Sequence, residues 1–201
     1  MASEYDSLFG RRSPSPEAQE EFAEVQAKFR SAAAPYLASP WPWLGWGLVL
    51  PTLALLTPSL LRAGGYGAVL LGWSLGILVA GAVEALSMWR RGAGASLLAA
   101  WALRAQGNLS LVGLLLSGYL VWRDVLSALP ALWLLLLGHS FYILGGLSFP
   151  ALRRYGLGYQ LGGALALVAG SRTLMVFAAT TFVANLGLAL GLAFERRRRS
   201  D

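Results

Sequence analysis

His139 is the chain's single histidine, and it lies near the middle of an apolar run, 129–149, bracketed by Pro130 and Pro150. A polar ring at bilayer depth is costly and is often functional. Three chemistries fit it: an axial haem ligand, a proton relay, or a hydrogen bond between helices. One histidine cannot supply a bis-histidine haem. That leaves a His–Met pair with Met88 or Met175, or His139 shared between two copies. The run Gly138-His139-Ser140 suggests a serine nucleophile, but neighbouring helical residues point about 100° apart and do not face each other as nucleophile and base. Glu84 is the second titratable candidate. It lies six residues before Arg90, about 9 Å along a helix. There it serves a proton- or cation-linked step or pairs with Arg90, Arg91 or Arg104. Asn185 falls at a similar depth to His139 and completes the set of relay candidates. The absence of cysteine excludes disulfides, thiolate metal sites and cysteine nucleophiles. No metal or cofactor site is expected; His139 is the one position that would bind a cofactor.

These residues sit in a chain of membrane character. Its 201 residues are 56% hydrophobic and 13% charged, whereas soluble domains carry ~25% charged residues. A net charge of +6 would suit nucleic acid, but its placement argues otherwise. Cations flank apolar runs, and no basic face interleaved with aromatics is present. No nucleic-acid partner is expected.

Six spans of about the length a bilayer requires are expected at 43–61, 66–89, 105–122, 129–149, 156–170 and 173–194, the fifth being short. Pro51 is expected to kink the first, and 95–104 to lead into the third. Of sixteen Lys and Arg residues, Arg62, Arg123 and Arg172 alone fall in the odd-numbered turns. By the positive-inside rule both termini are cytoplasmic. Arginine far outnumbers lysine, which hints at a GC-rich bacterial source and hence an inner membrane. The fold class is therefore all-α: six transmembrane helices as three hairpins, each closing on an arginine cluster (MWRRG, ALRRYG, FERRRR), a period of about 50–60 residues.

Residues 1–40 form a polar cytoplasmic segment, 41–195 the bundle and 196–201 a basic tail. The first segment carries Arg11, Arg12, Lys28 and Arg30 against six acids, and its start is not that of a signal peptide. Within it, Ser15 as N-cap and Pro16 at the first position start a helix. Its apolar stripe is Phe22, Val25, Phe29 and Ala33. Trp41 and Trp43 mark an interfacial anchor. Inside the spans, Gly72–Gly76, Gly158–Gly162 and Gly187–Gly191 are GxxxG pairs, and Gly138 and Gly145 continue the theme. Such spacing lets helices approach closely. Partners are the lipid bilayer and either further copies of the chain or other membrane subunits.

The first hairpin, WLGWGLVLPTLALLTPSLLRAGGYGAVLLGWSLGILVAGAVEALSMWRRG, resembles a unit of the HdeD-type acid-resistance membrane proteins. It matches in its Gly-rich first helix, Pro58 near the outer end and the closing arginine pair. The resemblance implies six spans built from three such hairpins and carries no catalytic residues. The expectation is a non-enzymatic protein that works by helix packing and interaction. The alternatives are a small proton-linked transporter or channel using Glu84 and His139, and a haem- or quinone-binding redox subunit.

Overall fold

A computed structural model describes residues 15–37, 39–90, 97–147 and 149–200. The polar leader 1–14, Arg91 and the glycine-rich turn at 92–94 lie outside them. Every regular element among the described residues is helical: α1 (Pro16–Leu37), α2 (Trp41–Trp89), α3 (Leu97–Trp122), α4 (Leu129–Leu147), α5 (Pro150–Val168) and α6 (Thr173–Ser200), with 3-10 turns at Leu126–Ala128 and Gly170–Arg172. The third helix runs unbroken from Leu97, so 97–104 of the expected lead-in belongs to it, and 95–96 lie outside the described residues. The last extends to Ser200 and takes the basic tail with it.

Helix α1 starts as its sequence dictates. The Ala18 N–H donates to Ser15 Oγ at 3.2 Å, and Pro16 needs no donor at the first position. Lys28 pairs with Glu24 at 2.6 Å and holds that carboxyl below its ordinary pKa. Phe22 and Val25 stay exposed. The helix touches the bundle where Gln26 Nε2 donates to the Gly146 carbonyl at 3.4 Å.

Among the described residues, three stretches are long and apolar enough to cross a membrane: Trp41–Trp89, Leu126–Gly146 and Gly170–Phe194. Unbroken, the 49 residues of α2 would run about 73 Å, more than twice the ~30 Å hydrocarbon core. The helix breaks at Gly64 and Gly65, the latter at φ 61°, a conformation that glycine adopts at no steric cost. Its two arms, 41–63 and 66–89, then lie antiparallel: Leu53 meets Gly76 and Leu60 meets Gly72. The backbone stays helical through Pro51 and Pro58; the non-helical residues are the two glycines. Asp124 (φ 57°) and Gly170 (φ 55°) reverse the chain at the same end, called here the far end. The opposite, basal end carries Trp41, Trp89 and the α4–α5 junction.

The core is built by the first arm of α2 with α4, α5 and α6. Leu50 and Ala54, Ala131 and Leu134, Tyr159, and Phe177 form one buried cluster. Trp43, Leu152 and Leu188 form a second toward the basal end. The second arm and α3 lie outside this core: of 66–89 only Ala80 is buried, and of the described α3 side chains only Gly113.

The closest approach joins α4 to α5. A Cβ at Gly145 would collide with the backbone nitrogen of Arg153, and one at Gly156 with that of Tyr142. A Cβ at Gly138 would lie 2.8 Å from the Gly156 carbonyl oxygen. Backbones thus meet where side chains would otherwise hold them apart. Gly146 and Gly158, one helical step from this seam, face open space. Gly145→Leu or Gly156→Leu is expected to abolish recovery of folded protein in mild detergent. Gly146→Leu and Gly158→Leu should melt within a few degrees of the parent chain.

Candidate functional site

Inside this bundle the polar side chains form short ties between helices. Thr57 Oγ1 donates to the Leu53 carbonyl at 2.7 Å, and the Trp73 indole N–H donates to Thr57 Oγ1 at 3.0 Å. On the next pair, Ser117 Oγ donates to the Gly113 carbonyl at 2.7 Å, and the Trp133 indole donates to Ser117 at 3.1 Å. The three positions of the second tie lie sixty residues after those of the first. The same device thus recurs on two helix pairs. In both, the hydroxyl returns its proton to the preceding turn and leaves its lone pairs to the indole, which can only donate. Trp73 also stacks edge-on against Phe177 of α6 at 6.0 Å, so this tie anchors the outer arm of α2 to the core.

Toward the basal end the Trp46 indole N–H donates to Glu84 Oε2 at 2.7 Å, and both residues are half-buried. Among the described residues Glu84 therefore has an indole, not an arginine, as its hydrogen-bond partner. The nearest arginine in sequence, Arg90, is six residues on, outside the i+3 and i+4 positions a helix brings together. Between α3 and α4, Ser140 Oγ donates to Gln106 Oε1. Between α5 and α6, buried Asn185 uses both amide protons, one to Tyr159 Oη at 2.6 Å and one to the Thr181 carbonyl at 2.8 Å. Its Cβ also abuts Gly47 of the first α2 arm, where an added methyl would stand 2.9 Å away. Asn185 thus sits where three helices cross and is fully occupied as a donor.

His139 goes elsewhere. It is exposed on α4, on the side opposite Leu134 and Phe141, which face the core. Ser140 turns toward α3, so histidine and serine diverge as their helical spacing requires. Neither Glu84 nor Asn185 hydrogen-bonds to His139, and the three do not assemble into one site. Met88 lies at the basal end and Met175 at the far end, each roughly 10 Å or more in height from His139. One chain therefore builds no His–Met haem pair. Among the described residues no group of three His, Asp or Glu is placed to hold a metal.

The glycine candidates divide similarly. Gly72 and Gly76 seat Leu60 and Leu53, Gly138 and Gly145 seat α5, Gly162 seats Thr180, and Gly187 touches Tyr155 at 3.4 Å; Gly158 and Gly191 meet nothing. Gly156, Gly163 and Gly47 are close-contact positions that GxxxG counting passes over. Missed too were the paired Trp–hydroxyl ties; their signal was the sixty-residue recurrence of Ser/Thr and Trp at a spacing of sixteen.

No family model, curated protein or solved structure matches this chain.

A double-mutant cycle of Thr57→Val and Trp73→Phe, read by reversible unfolding in detergent, should give a coupling of about 0.5–1.7 kcal/mol, the range for interhelical hydrogen bonds in bilayers. Ser117→Ala with Trp133→Phe should fall in the same range. Mixed cycles between the two pairs should give no coupling.

Proposed function

We propose that this chain is a non-enzymatic integral membrane protein that works by helix packing and association, as an oligomer or as a subunit of a larger inner-membrane complex. In this reading both α2 arms and α3 to α6 cross the bilayer as three hairpins, with both termini cytoplasmic. Each arm or helix is about 28–42 Å long, enough to cross the hydrocarbon core. Trp41, Trp89 and Phe194 are exposed at one end and Tyr66, Tyr119 and Trp122 at the other, where interfacial belts place aromatics. The arginine distribution supports a cytoplasmic basal end. Residues 43–92 would then correspond to the hairpin unit of HdeD-type proteins.

One observation carries the functional reading: His139 faces outward at mid-depth on α4. An imidazole turned to hydrocarbon leaves a ring N–H and a lone pair unsatisfied, a cost that a covering partner removes. Proton transfer through Glu84 and His139 has less support, because the two face different surroundings. The same holds for a redox role, because neither Met88 nor Met175 lies at the depth of His139.

The particle extracted in mild detergent should exceed one chain in mass. His139→Leu should weaken that assembly by about 3–20-fold, the value of one interhelical hydrogen bond. A strictly monomeric particle with no co-purifying partner would overturn the proposal.

A further inference from the structure

At the basal end, Arg153 and Arg154 occupy the first turns of α5, and both are exposed. This placement is electrostatically unfavourable by itself. The start of a helix already carries partial positive charge, yet that turn has no acidic residue and Phe149 gives no side-chain cap. Among the described residues neither guanidinium forms an ion pair. Two cations at a positive helix end, with no carboxylate in that turn, suit an anionic ligand.

Arg153 is also held in place. Its Nη2 donates to Tyr142 Oη at 2.6 Å, and its Cζ lies 4.7 Å from the centre of the same ring. The close contact of Gly145 with the Arg153 backbone sets the two helices at the separation this needs. This bond takes one N–H of a guanidinium that has five. A guanidinium fixed in this way matches the oxygens of a phosphodiester, to which it donates two parallel bonds.

The surface above the arginines distinguishes a lipid from a soluble phosphate. Leu157, Leu161, Leu165 and Val168 are exposed in succession along α5, from the arginines to the far end. Gly158 leaves a notch beside them, with no atom of another element within 4 Å of where its Cβ would be. A headgroup on the arginines would lay its acyl chain along this stripe.

We infer that Arg153, fixed by Tyr142, and Arg154 form a binding site for the phosphate of an anionic phospholipid at the basal end of α5. The site rests on the reading that these helices cross a bilayer. It does not depend on what covers His139, because lipid retained per chain is counted separately from particle mass.

The test is native mass spectrometry of the full chain in neutral detergent, with dioleoylphosphatidylglycerol or dioleoylphosphatidylcholine added at equal load. The parent chain should retain the anionic lipid preferentially. The double variant Arg153→Gln/Arg154→Gln should lose about 30-fold in retention, the effect of two surface cations. Tyr142→Phe, which keeps both charges and the ring, should lose about threefold. Arg62→Gln/Arg123→Gln removes the same charge at the far end and should change retention little. Equal retention of the two lipids would overturn the site. So would equal loss in the two double variants, or displacement of the lipid by inorganic phosphate alone. If the double variant does not fold, unchanged retention by Tyr142→Phe would overturn it.

Discussion

The contact between the backbones of α4 and α5 is the constraint on which the rest of the bundle depends. Lipid tails are as apolar as leucine, so helices in a bilayer gain nothing from hiding apolar surface from one another. What remains is dispersion at short range, and it falls away within an ångström of lost contact. Gly138, Gly145 and Gly156 remove the side chains that would hold the two helices apart. Once α4 is seated on α5, its other directions are set. Leu134 and Phe141 turn to the core, Ser140 to Gln106 on α3, and Tyr142 to Arg153. His139 is left facing out.

Polar ties then fix the neighbours that glycine does not. The recurring indole–hydroxyl tie binds the two arms of α2 and binds α3 to α4, while Asn185 binds α6 to α5. The two helix pairs that carry this tie are used differently. The first places its leading arm in the core and its returning arm outside; the second places α3 outside and α4 in the core. A shared local device therefore does not produce a symmetric bundle. The longer-range contacts, Trp43 on Phe141 at 5.8 Å and Phe141 on Tyr159 at 5.3 Å, decide which helix of each unit is inside.

Much of the helix inventory was legible in the sequence, because proline, glycine and arginine mark the ends. Ser15 and Pro16 start α1, Gly64 and Gly65 divide α2, and the turns at Asp124 and Gly170 fall where expected. The direction of each face was not legible. Helix α4 is apolar on all sides, so no periodicity says whether His139 points inward or outward. Glycine spacing was similarly ambiguous: Gly158 shares a GxxxG pair with Gly162, yet only Gly162 meets a neighbour. Which small residue is used depends on the angle of approach, and that is a property of two helices together. Glu84 shows the same limit. Its partner Trp46 lies thirty-eight residues away, and it is chosen by the fold of the α2 arms, not by local charge.

Sidedness tests this picture most directly, and a chain without cysteine makes it accessible. Single cysteines introduced as Gly64→Cys, Asp124→Cys and Ser171→Cys, and as Ser15→Cys and Ser200→Cys, would be labelled in sealed membranes with an impermeant maleimide. The first three should react from one face and the last two from the other, which places α4, with His139 at its middle, inside the bilayer. Labelling of Asp124→Cys from the same face as Ser200→Cys would contradict the proposed six spans and remove the basis for reading His139 as an outward contact that a partner covers within the bilayer.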